Sequence, residues 1–131
     1  MRAIRAKPIA IAAALFAVAE FVWLTSMRPF YKKRFAAFSG PLKLRSVAAA
    51  VSTYALLLLG AFVFVAMPAL TDRQAWRSAA RGALFGGVVY GVYNLTNKST
   101  IDNYPWSMVA VDTAWGATLF GGLALACNLT R

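Results

Sequence analysis

The 131-residue chain is 60% hydrophobic and carries a formal net charge of +10, an apolar share well above the roughly 45–50% of a water-soluble domain. It has no histidine and one cysteine, Cys127, which excludes His-dependent catalytic triads, the usual His/Cys metal centres and an intrachain disulfide. Little chain remains outside the apolar runs to build a solvated basic stripe, so the charge is not read as a nucleic-acid footprint.

The first element follows a basic start, "MRAIRAKPIAIAAALFAVAE". Its apolar run and Ala17-Val18-Ala19 resemble a signal-peptidase site, and an Arg-rich, acid-poor start also suits organelle targeting. The apolar stretch continues through Phe21-Val22-Trp23-Leu24 to Met27, longer than a signal sequence needs. A retained helix over 9–27 is therefore expected. The next stretch, "RPFYKKRFAAFSGP", spaces Tyr31, Phe35 and Phe38 at i, i+4 and i+7 with Lys32, Lys33 and Arg34 between them. That pattern predicts a short amphipathic helix over 28–40 lying in the membrane interface and ended by Gly40-Pro41. With Arg28, these residues form a candidate surface for lipid headgroups or a partner, or ordinary aromatic-belt anchoring.

Further apolar windows at 47–70, 79–97 and 107–127 each meet the length of about 20 residues that a bilayer demands. The expected fold is all-α: one domain over 1–131, an integral membrane four-helix bundle. The membrane would be a bacterial plasma membrane or an organellar inner membrane, with anionic lipids among its contacts. The fourteen Lys and Arg residues divide evenly between the two sides. Arg2, Arg5, Lys7, Arg73, Arg77, Arg81 and Arg131 oppose Arg28, Lys32, Lys33, Arg34, Lys43, Arg45 and Lys98, so the positive-inside rule selects neither orientation.

Depth counting along the four windows gives the sharpest expectation. Glu20 lies seven residues before Met27, Tyr54 seven after Val47, Tyr90 seven before Asn97 and Asp112 seven after Pro105. Each therefore sits about 10 Å from the same membrane surface. Asn94 and Asn97 lie between this polar layer and that surface. The faces agree with the depths: Gly82, Gly86, Tyr90, Asn94 and Asn97 form one helical stripe, as do Phe16, Glu20, Trp23 and Met27. Asp112, Trp115, Gly116 and Leu119 form a third. The pairs Gly82-xxx-Gly86 and Gly87-xxx-Gly91 are patterns that admit a neighbouring backbone.

A carboxylate facing lipid is costly, so Glu20 and Asp112 should point inward. Two of them in a low-dielectric layer cannot both be charged cheaply without a cation. They are candidates for a proton relay or cation site, with Tyr54, Tyr90 and Asn94 as hydrogen-bond partners. The alternative is structural: acids that hold helices together through interhelical hydrogen bonds, with Arg28 reaching one of them.

Asn94-Leu95-Thr96, Asn97-Lys98-Ser99 and Asn128-Leu129-Thr130 match the N-glycosylation pattern. Because Asn94 and Asn97 continue the glycine–tyrosine stripe, the segment "YNLTNKST" is read as the polar closing turn of the third helix, facing Asp112.

"EFVWL" at 20–24, "RPFY" at 28–31, "MPAL" at 67–70, "GALFG" at 82–86, "YNLTN" at 93–97 and "DTAWG" at 112–116 occur in this order. Together they resemble a family of small, mostly bacterial, predicted four-helix membrane proteins known only as a domain of unknown function. The resemblance spans Glu20 to Gly116. It implies the fold and the membrane location and brings no activity. The family commonly has Asp where this chain has Glu20, and often Asp where it has Asn94.

The function expected from these features is that of a non-catalytic accessory or assembly subunit, packed against a larger membrane complex or lipids. The alternative is a small proton- or cation-coupled transporter using Glu20 and Asp112, acting as a homo-oligomer. No nucleophile motif, phosphate loop or metal constellation supports an enzyme, and no cofactor is expected.

Overall fold

The computed structural model describes residues 6–131; Arg2 and Arg5 of the basic flank fall outside them. The described chain is all-helical. Helix α1 is Ala6–Phe35, α2 is Val47–Thr71, α3 is Ala75–Thr100 and α4 is Trp106–Leu129. Three of them, α1, α2 and α4, are long and apolar enough to cross a membrane. The 26-residue α3 is as long but carries Arg77, Arg81, Asn94, Asn97 and Lys98 in its outer turns, which lower its hydropathy.

The innermost contact joins α3 to α4, which run antiparallel. A Cβ at Gly86 would overlap the carbonyl of Gly116, one at Gly82 would overlap that of Phe120, and one at Gly116 would strike the Tyr90 ring. Gly121 adds a close approach, 3.3 Å from the Ala79 carbonyl. Only residues without a side chain allow backbones to meet in this way. Gly87 and Gly91 play a smaller part, with nearest neighbours at 3.8 and 3.6 Å, ordinary van der Waals contact.

Helix α1 lies against α4 through Phe16 and Phe120, edge to face at 5.9 Å, and through Trp23 and Trp115, stacked at 4.3 Å. No separate helix covers 28–40. Instead α1 continues through Pro29 for 30 residues, about 45 Å, against a hydrocarbon core of about 30 Å. Proline interrupts the internal bonding of a helix. What carries α1 past it is tertiary packing: Phe30, Tyr31, Phe35 and Phe38 close on Tyr104, Met108 and Val109. The helix then gives way to a turn that ends at Gly40, whose φ of 76° suits glycine.

Helix α2 has two unlike halves. Ser46 caps its start by accepting from the Ala49 amide at 3.2 Å, yet Val47–Gly60 contains no buried residue. Ala61–Ala66 form a wide π turn, with the Met67 amide bonded to the Phe62 carbonyl. One residue, Met67, separates it from Pro68, which supplies no amide proton of its own. From the wide turn onward the helix packs inward: Ala61, Val65, Ala66 and Ala69 join the core with Leu119, Phe120, Leu123, Ala124 and Cys127. The far end is tied by Asn128, whose Nδ2 lies 2.9 Å from the Ala69 carbonyl, 2.9 Å from that of Asp72 and 3.3 Å from Ser78 Oγ. Helices α1 and α2 meet sparsely, with a hydrogen bond from the Tyr54 hydroxyl to Glu20 Oε2 between them.

Gly86→Leu should separate α3 from α4 at a cost of about 1–3 kcal/mol, whereas Gly87→Ala should be near neutral. Unfolding titrations of the two variants in micelles measure the difference.

Candidate functional site

The polar residues expected in one layer form two connected hydrogen-bond centres. In the first, Glu20 is 9% exposed and its Oε1 accepts from Trp115 Nε1 at 3.0 Å and from the Tyr90 hydroxyl at 3.4 Å. Its Oε2 accepts from the Tyr54 hydroxyl at 3.5 Å. One residue from each of the four helices thus meets at this carboxylate.

In the second centre, Asp112 accepts from the Tyr31 hydroxyl through Oδ1 and from Asn94 Nδ2 through Oδ2, the latter at 2.8 Å. Asn94 is 0% exposed and fully engaged. Its Nδ2 also donates to the Tyr90 carbonyl at 2.9 Å, while its Oδ1 accepts from the Tyr104 hydroxyl at 2.7 Å. The backbone carbonyl demands a donor, so the orientation of the amide is fixed and Asp112 must accept. Trp23 Nε1 donates to the Tyr31 hydroxyl at 3.1 Å, and its ring stacks on Trp115. The stacked indoles therefore link the two carboxylate centres.

Every donor to Glu20 and Asp112 is neutral: phenol, indole or amide. Arg28 lines the same region but forms no ion pair with either acid; the salt bridge among the described residues joins Arg81 to Asp72 at 3.2 Å. Beside the two centres lies a cleft of about 270 Å³ lined by Glu20, Asp112, Tyr54, Tyr90, Trp23 and Trp115, with Leu24, Arg28, Tyr31, Phe35 and Leu42 completing its wall.

Asn97 sits further out. No hydrogen bond joins it to either carboxylate among the described residues; its carbonyl accepts from the Ile101 amide at 2.8 Å, closing α3. Of the loop surface proposed for lipid or partner contact, Tyr31, Phe35 and Phe38 turn inward onto Tyr104, Met108 and Val109. Arg34 lies over the Phe30 ring at 5.3 Å, and Lys32 and Lys33 are exposed. Among the three sequon asparagines, the amide nitrogens of Asn94 and Asn128 are buried and already bonded, while Asn97 is half-buried.

Sequence reasoning placed Tyr31 on the surface and passed over Tyr104. Tyr31 continues the stripe of Glu20, Trp23 and Met27 by one further turn. It was missed because the helix was ended before Pro29. Tyr104 precedes Pro105 in a connection where Asn103 takes a φ of 59° and Lys98 Nζ holds the Tyr104 carbonyl at 2.7 Å. That fold-back has no periodic signature. A second groove, at the α2–α3 turn, is lined by Arg73, Arg77, Arg81 and Asp72, and depth counting gave no sign of it.

Asn94→Leu leaves the Tyr104 hydroxyl, the Tyr90 carbonyl and Asp112 each short of a partner. It should cost about 1–3 kcal/mol in micellar unfolding, against less than about 2 kcal/mol for Tyr31→Phe. Burial pushes the Tyr104 phenol above its ordinary value of 10.0. The folded protein then holds this proton more tightly than the unfolded chain, so the contribution is intact below about pH 10 and is lost as pH rises further. Stability measured against pH should therefore fall less steeply above pH 10 in Tyr104→Phe than in the wild type.

No curated protein and no solved structure matches the chain. A match over residues 6–129 to the family described as "Predicted membrane protein (DUF2177)" takes in all four helices and both carboxylate centres, and the chain belongs to that family.

Proposed function

We propose that the protein crosses the membrane four times and that the cleft beside Glu20 and Asp112 binds a proton or cation within the bilayer, as part of a small carrier. Support for the fourth span comes from the outer face of α3. Leu84, Val88, Val92 and Leu95 are all exposed and follow one another at helical spacing. They give α3 an apolar face toward lipid, opposite the glycine face that meets α4. At 26 residues it is about 39 Å long, with Arg77 and Arg81 near one end and Lys98 near the other to reach the headgroups.

The observation that carries the functional reading is a single cleft bordered by both acids, neither of which has a cationic partner among the described residues. Acids that served only to glue helices would be expected to lie dry within the packing. The accessory-subunit reading rests on small size, the lack of a soluble domain, small-residue faces and the basic aromatic loop, and α4 occupies the small-residue face of α3. With the aromatic side of that loop spent inside the molecule, Lys32 and Lys33 are left as headgroup contacts, which favours a self-contained particle. Four helices leave little room for a complete pathway in one chain, so the carrier would work as a homo-oligomer.

Reconstitution into liposomes tests the reading. Imposed proton or monovalent-cation gradients should drive a flux that falls at least tenfold in Glu20→Gln and Asp112→Asn. Flux unchanged in both variants removes the carrier.

A further inference from the structure

We infer that the cleft takes an amphiphile with an ammonium head, which enters sideways from the lipid between α1 and the first half of α2. This deepens the cation-site reading and rests on it.

The entrance follows from the fold. Helices α1 and α2 meet sparsely, with the Tyr54–Glu20 bond between them, and Val47–Gly60 contains no fully buried residue. The cleft is bounded on one side by Glu20, Trp23 and Leu24 of α1 and on the other by Tyr54 of α2. Exposed apolar residues flank the gap between those walls, Leu24 on α1 and Val51 and Leu58 on α2, as suits an opening toward the acyl chains.

The head follows from the charge. Both carboxylates accept from neutral donors, four of which also line the cleft, so no cation among the described residues pairs with the negative charge they would carry. Arg28 does not compensate it. It is exposed and lies eight residues beyond Glu20, about 12 Å along the helix. Its charge disfavours a cation resting at that end and leaves the carboxylates as the favourable depth.

The kind of cation follows from the remaining wall. Hard metal ions seek six or more oxygen ligands, and beyond the two carboxylates the cleft offers tyrosine hydroxyls and apolar surface. Trp23, Tyr31, Tyr54, Tyr90 and Trp115 instead supply aromatic rings, which attract a weakly hydrated organic ammonium. A volume of about 270 Å³ suits the head and its first methylenes. The rest of the chain would trail through the gap into the bilayer.

The test uses the protein in dodecyl maltoside micelles with Trp76 and Trp106 replaced by Phe, so that Trp23 and Trp115 report alone. Titration with dodecyltrimethylammonium should give a saturable change in indole emission at concentrations at least tenfold below those needed with tetramethylammonium. Glu20→Gln and Asp112→Asn should each weaken it at least tenfold. Leu24→Phe enlarges an exposed side chain at the gap without adding an indole, and should weaken the long-chain probe while sparing tetramethylammonium. Equal binding of the two probes, or indifference to Leu24→Phe, overturns the lateral amphiphile and leaves the cation site standing. If neither ammonium binds although liposome flux still depends on Glu20, the ligand class is wrong and the carrier survives. No binding together with flux independent of Glu20 removes both.

Discussion

The meeting of the α3 and α4 backbones at Gly86 and Gly116 is the contact on which the rest of the molecule depends. In lipid no hydrophobic force drives helices together, so association rests on van der Waals packing and on bonds that close approach permits. Once the two backbones touch there, the next turns toward one membrane face bring Tyr90 and Asn94 beside Asp112 and Trp115. The Asn94–Asp112 bond at 2.8 Å is a product of that approach. A single methyl group between the backbones would remove it.

Helix α1 is added to this pair by different means. Its contacts are aromatic, Phe16 on Phe120 and Trp23 on Trp115, and they leave the polar ends of the rings free to act. Trp115 donates to Glu20 while stacking on Trp23, which donates to Tyr31. Packing and polar satisfaction are therefore carried by the same side chains, as a low-dielectric interior requires of any buried polar group.

The helices and the main polar residues were legible because both obey simple rules of length and period. Windows at 9–27, 47–70, 79–97 and 107–127 lie inside the observed helices. Counting residues from their ends brought Glu20, Tyr54, Tyr90 and Asp112 to one depth, where the structure joins Tyr54 and Tyr90 to Glu20. What periodicity could not show were features decided by contacts distant in sequence. Pro29 reads locally as a break, and only the aromatic cluster around Tyr104 lets α1 continue through it. The wide turn at Ala61–Ala66 lies in an unbroken apolar run and leaves no mark on hydropathy. Asn128 shows only a sequon match in the sequence because its partners, Ala69, Asp72 and Ser78, are fifty or more positions away.

That asparagine has a mechanical consequence. With Arg131, which also reaches the Asp72 carbonyl, it clamps the C-terminal end of α2, whereas the first half is tied to the bundle among the described residues by the longer Tyr54–Glu20 bond, 3.5 Å. The helix is a lever fixed at one end, with the wide turn near its fulcrum. The fourteen residues Val47–Gly60 form an arm of about 21 Å, so each 10° of tilt at the turn carries the tip through roughly 4 Å. Tyr54 sits about half-way along that arm, so any such tilt would be felt first at its bond to Glu20.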